Sequence, residues 1–169
     1  MTACPETTVD ENFGLKPVAV DAGDWNGAWM PVDDDDVVQF TVTDAAQGTL
    51  RMTEPDRKDA KPVEFRLRRA SADKDVQLSF LVMREQGEKA AATSLHLIRE
   101  ADEGVILAWV INHHAVEAAI KSGQLKGSTK RIKKDPQNHL DSDPANYTRL
   151  LEPQFWHWSE PSVLRRAKK

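Results

Sequence analysis

Val37-Val38-Gln39-Phe40-Thr41-Val42-Thr43 sets Val38, Phe40 and Val42 against Gln39, Thr41 and Thr43. Successive side chains of a strand point to opposite faces, so this alternation marks a half-buried β-strand. The pattern returns along the chain. After the turn chemistry of Asp44-Ala45-Ala46-Gln47-Gly48, Leu50 and Met52 share a face. Val63, Phe65 and Leu67 then alternate with Glu64, Arg66 and Arg68, apolar on one side and charged on the other. Beyond a turn at Ser71 to Lys74, the next inward face is Val76, Leu78, Phe80 and Val82, although Leu81 and Met83 make its outer face less polar. A polar linker around Gln86-Gly87-Glu88-Lys89 leads to Thr93 to Glu100, with Leu95 and Leu97 expected inward and Ser94, His96 and Ile98 outward. Ala101-Asp102-Glu103-Gly104 is a tight turn. Val105 to Ile111 is nearly all apolar, as expected of a strand buried on both faces or covered by a helix. Six strands with short connections imply an antiparallel sheet, because parallel pairs need long crossovers.

Past this meander the period changes. Val116, Ala119 and Ile120 share a helical face over Asn112 to Lys121, with Asn112 as N-cap and Gly123 as stop. A last strand is expected near Gln124 to Ile132, in a basic context of Lys126, Lys130, Arg131, Lys133 and Lys134. No aromatics interleave those charges, so they read as a solvated edge or barrel seam rather than a nucleic-acid surface. Asp135 to Asp141 reads as loop. Ser142 or Asp143 caps a second helix, Pro144 suits its first turn, and Pro153 ends it. Phe155-Trp156-His157-Trp158 follows. Such a cluster lines a ligand mouth, stacks on a protein partner through Phe155, Trp156 and Trp158, or docks the tail on the sheet. Docking is favoured, because each large ring buries much surface. The basic end at Arg165, Arg166, Lys168 and Lys169 is expected to fray.

The chain of 169 residues is long enough to bury a core as one domain. Residues 21–169 are assigned to it, with 1–20 as a flexible N-terminal segment. The expected fold is mostly β: an antiparallel up-and-down barrel of about eight strands with two short helices, the alternative being a β-sandwich or an open sheet packed by helices. A barrel of that size is just wide enough to fill with side chains or to hold one small ligand. Phe40, Phe65, Phe80 and Trp109 are the expected lining.

Catalytic and metal chemistry find no support. Asp33-Asp34-Asp35-Asp36 lacks the spaced ligands of a calcium loop and reads as a solvated turn. His113 and His114 are adjacent, about 100° apart on a helix, and cannot easily share a metal. H-E-x-x-H, P-loop and G-x-S-x-G patterns are missing. A non-enzyme without cofactor or metal is expected. A net charge of -4 argues against a general polyanion binder.

Two short motifs carry resemblances. Gly27-Ala28-Trp29, placed ahead of the run of hairpins, resembles the Gly-x-Trp of lipocalins and their calycin relatives. That resemblance implies a first barrel strand opening at Gly27, with Trp29 packed across the closed end, often against a basic side chain. It also implies a small apolar ligand or lipid held in the barrel; the alternative is a non-catalytic structural or interaction domain with a filled barrel. Thr2-Ala3-Cys4 resembles the end of a bacterial lipoprotein signal. It implies lipid attachment at Cys4, a periplasmic or outer-membrane-anchored address and Pro5 to Val20 as tether, the alternative address being cytoplasmic. Membrane contact is then expected only through that anchor.

Overall fold

The computed structural model describes residues 4–86 and 93–167. Met1-Thr2-Ala3, the linker residues Gly87-Glu88-Lys89 and the terminal Lys168-Lys169 lie outside the described residues. The chain opens with β1 (Glu6–Val9) and a single helical turn, α1 (Ala22–Trp25). Then come β2 (Gly27–Pro31), β3 (Val38–Asp44), β4 (Thr49–Thr53), β5 (Val63–Arg69), β6 (Ser79–Glu85), β7 (Ser94–Asp102) and β8 (Val105–Val110). Helix α2 (His113–Lys121), β9 (Gly127–Ile132), β10 (Asp135–Leu140), α3 (Pro144–Arg149), a 3-10 turn at Pro153–Phe155 and β11 (Ser162–Arg166) complete it.

Strands β2 to β8 pair antiparallel in chain order, and β11 pairs antiparallel with both β8 and β2. The result is a closed eight-stranded antiparallel barrel, mostly β, as the alternation implied. The closing strand is β11, not the expected strand near Gln124 to Ile132. Leu164 points inward beside Ile106 and Pro31, which gives β11 an apolar anchor. Most of β9 is exposed instead, and it lies on the edge of a three-stranded wing. There β10, expected as loop, pairs antiparallel with β9 and parallel with β1. Strand β1 joins the wing to β7 through Thr8 and Ser94.

Residues 6–20 are therefore not the flexible tether expected of them. Thr7 and Val9 are buried, and Phe13 is fully buried against the rings of Phe80 and Tyr147. Leu15, Lys16 and Val18 exchange backbone hydrogen bonds with β5. The polar composition of 5–12 concealed two buried positions on a period of two, Thr7 and Val9.

Two apolar cores result. The first fills the barrel: Trp25, Trp29, Phe40, Leu50, Phe65, Leu67, Leu81, Ile98 and Ile106. The second lies outside it, where α2, α3 and the 3-10 turn cover β6, β7 and β8: Phe80, Val82, Leu95, Leu97, Trp109, Ile111, Phe155 and Trp156 belong here. The expected facing of β6 and β7 is thereby reversed. Leu81, His96 and Ile98 face the interior, whereas Phe80, Val82, Leu95 and Leu97 pack outward. With both faces apolar, alternation cannot say which is inside; the helices that cover the outer face decide it. Asn112 and Asp143 cap α2 and α3 as expected, their side chains accepting from the Ala115 and Ala145 amides.

Candidate functional site

One end of the barrel is closed from within the sequence motif. Gly27 has φ +128°, a conformation that favours glycine, and opens β2. Trp29 points inward and its Nε1 donates to the Trp25 carbonyl at 2.9 Å, while the two rings sit 5.8 Å apart. Arg166, opposite Trp29 in the β2–β11 register, donates to the carbonyls of Gly23, Asp24 and Asn26 at 2.8, 2.8 and 2.6 Å. A cation thus ties α1, the helical turn that carries Trp25, across the end of the barrel. An open hollow of about 700 Å³ lies at this end, with Trp25, Trp29 and Ile106 of the barrel core in its lining together with Asp24, Glu100, Glu103 and the already engaged Arg166. Among the described residues no group of acids, histidines or cysteines is placed to hold a metal ion.

The interior leaves little room. The apolar cavity within it is about 30 Å³, lined by Trp25, Phe40, Leu50, Phe65, Leu67, Leu81, Ile98, Ile106, Ala108 and Leu164. One or two water molecules need that much, and a drug-sized ligand needs roughly 300 Å³ or more. Phe40 is the hub of the filling, its ring 6.0 Å from Trp25, 6.0 Å from Trp29 and 5.5 Å from Phe65. Of the four residues expected to line the barrel, Phe40 and Phe65 do so; Phe80 and Trp109 do not, because the second core claims their faces of β6 and β8. His96 is the one titratable ring that the β7 register turns inward, beside Leu81. Burial pushes its pKa below the ordinary histidine value, since a charged ring there would lose its hydration.

The cluster Phe155 to Trp158 divides. Phe155 and Trp156 are buried, and the Trp156 Nε1 donates to the Leu150 carbonyl at 2.6 Å. Only Trp158 of the three aromatics keeps part of its surface. Its ring lies 4.8 Å from that of Trp109, tilted by 60°. Together they form one wall of a surface groove of about 430 Å³ on the outer face of β7 and β8. Val76 and Leu78 of the β5–β6 connection supply apolar surface, and Asp75 and Arg99 supply one charge of each sign. Among the described residues neither indole N–H of the pair has an acceptor, and a buried donor left unpaired costs about 1–3 kcal/mol. The groove thus joins a residue expected inside the barrel, Trp109, with one expected to meet a partner, Trp158. The sequence signal for it was the aromatic cluster; nothing local connects that cluster to Val76, Leu78 or Arg99.

Cys4 is exposed, with a free thiol, and its carbonyl accepts from Gln137 Nε2 at 2.7 Å. No helix among the described residues is long and apolar enough to cross a membrane. Comparison with protein-family models, curated proteins and solved structures finds no match to this chain.

Proposed function

We propose that this chain is a non-catalytic interaction domain, a calycin-type barrel of the bacterial cell envelope filled by its own side chains. Its contact surface is the outer groove at Trp109 and Trp158. The observation that carries this reading is the interior apolar cavity of about 30 Å³. It favours the filled-barrel alternative over an apolar ligand held inside. The groove has what protein contacts concentrate: a partly exposed Trp beside an Arg, with apolar walls. The partner it fits presents an apolar anchor flanked by polar groups of both signs, matching Asp75 and Arg99. The calycin assignment is supported by the Gly27, Trp29 and Arg166 arrangement at the closed end. The envelope address rests on Thr2-Ala3-Cys4 and on the exposure of Cys4. Because β1 begins at Glu6, an acyl group on Cys4 would hold the barrel close to the bilayer rather than on a long tether.

Native mass spectrometry of the protein drawn from its host's extract tests this, with wild type beside Trp158→Ala. A protein-sized adduct on the wild type that is lost from the variant is expected. A small apolar adduct held equally by both would overturn the reading in favour of a barrel ligand. Covalent mass mapping to Cys4 after denaturation would establish the lipid anchor, and an unmodified Cys4 in the host-derived protein would remove it.

A further inference from the structure

The junction of β1, β10 and α2 contains a buried polar relay that the groove does not use. Asn138 is 3% exposed and Thr7 1%. Asn138 Oδ1 accepts from Thr129 Oγ1 at 2.7 Å. Its amide nitrogen donates to Thr7 Oγ1 at 3.1 Å and to the His113 carbonyl at 2.9 Å. Those contacts fix the orientation of the amide, since only nitrogen can donate twice. Thr7 Oγ1 therefore already accepts a proton from Asn138. Toward His113 Nδ1, 2.8 Å away, it can donate its own proton or accept one on its second lone pair; donation is the arrangement that gives its buried hydroxyl hydrogen an acceptor. This direction requires a neutral His113 with an unprotonated Nδ1. A proton on Nδ1 would set two hydrogens against each other, or strand the Thr7 hydroxyl hydrogen in a buried site.

The surroundings act in the same sense. His113 is held below the ordinary histidine pKa first by burial, then by the charges of His157, His114 and His96. These come from the tail after the 3-10 turn, from α2 itself and from β7. Strand β1 contributes Thr7 and β10 contributes Asn138, both neutral. The one acid of α2, Glu117, is engaged by Arg131 at 2.7 and 2.9 Å and by Lys121 at 2.7 Å, so it is not free to offset a charge on His113.

We propose that His113 is a proton-sensitive latch: neutral, it docks the N-terminal strand β1 against α2 and β10; protonated, it no longer accepts the Thr7 hydroxyl hydrogen, which is left unpaired in a buried site, and β1 opens more readily. The latch does not depend on what the groove binds. Its consequence is a domain whose N-terminal attachment loosens on mild acidification while the barrel stays closed.

Two measurements test it. Nitrogen-15 spectra of the histidine side chains in the wild-type protein should show His113 as the Nε2–H tautomer near neutral pH, titrating below 6.5. Hydrogen exchange of the Thr7, Thr8 and Val9 amides, corrected for intrinsic rates, should lose protection by up to about tenfold per pH unit between 6.5 and the His113 midpoint. Amides of β7 and β8 should show no matching loss. His113→Asn, which places an amide oxygen near the Nδ1 position without a titrating proton, should abolish that pH dependence, whereas His114→Gln should keep it. An Nδ1–H tautomer for His113, or β1 protection independent of pH in the wild type, would overturn the latch. So would an undiminished pH response in His113→Asn. Should that variant not fold, the tautomer and the wild-type exchange profile decide the matter.

Discussion

Phe40→Ala removes the hub of the barrel interior. Phe40 is 1% exposed, and its ring meets those of Trp25, Trp29 and Phe65. Deleting the ring vacates on the order of 100 Å³, and at about 24 cal/mol per Å³ the cavity alone costs about 2.4 kcal/mol. The lost transfer free energy of the ring adds about 2 kcal/mol. A total of about 4 kcal/mol falls within the range of buried Phe→Ala changes. The eight strands around the site restrain collapse, because each is hydrogen-bonded on both sides. The new space joins the existing 30 Å³ or so, and the sum approaches the ~150 Å³ of dry apolar cavities that accept benzene. Urea unfolding at unchanged m measures the first number. Benzene-dependent thermal stabilisation of the variant, absent from the wild type, measures the second. A loss below about 1 kcal/mol would refute tight packing around Phe40. Equal benzene stabilisation of wild type and variant would refute a filled interior.

Glu117 is held down to about 2 from its ordinary 4.5, first by the Arg131 hydrogen bonds and then by that of Lys121. The unfolded chain binds the proton more tightly, so this contribution is complete above pH 4.5 and is lost as pH falls toward 2. Glu117→Gln should therefore lower stability at neutral pH and flatten the acid limb of a thermal-melting series; an acid limb identical to wild type would contradict the clamp between α2 and β9. Asn146 is 1% exposed and bonds the Lys126 amide, the Lys126 carbonyl and the Asp141 carbonyl at 2.9, 2.7 and 2.9 Å. Asn146→Ala should cost about 1–3 kcal/mol by chemical unfolding, since the Lys126 amide loses its acceptor, whereas the Lys126 and Asp141 carbonyls keep the Asp141 and Asp143 amides. Arg166→Met should cost about 1–3 kcal/mol and increase fluorescence quenching of Trp25 and Trp29 by acrylamide, because three carbonyls of α1 and its flank lose their donor.

The strands legible in the sequence are those with one face in water. On β5, Glu64, Arg66 and Arg68 mark the outside, and Phe65 and Leu67 lie in the barrel core as the alternation says. Where a second core covers the sheet, that contrast vanishes. Phe80 and Leu81 are equally apolar, and their assignment depends on α2, α3 and the tail, which arrive from 30 or more residues away. Strand β10, Asp135-Pro136-Gln137-Asn138-His139-Leu140, has little intrinsic strand preference. It is a strand because β1 and β9 flank it, with Lys133 at φ 59° turning the hairpin. The helix caps at Asn112 and Asp143 were legible because capping is local. At the site, the sequence marked Trp158 as one of three aromatics. Which of them remains exposed depends on Leu150, which holds Trp156, and on Trp109, which shares the groove.

A filled barrel with its binding surface outside differs from a ligand-holding barrel at the interior side chains. Methyl-resolved NMR of the wild-type protein, titrated with a medium-chain fatty acid, distinguishes the two at the atoms concerned. In a filled barrel the Ile98, Ile106 and Leu81 methyls, which face the interior, do not shift. Saturable shifts at those three interior residues, with Leu95 and Leu97 of the outer core unchanged, would place a ligand inside the barrel and contradict the filled interior.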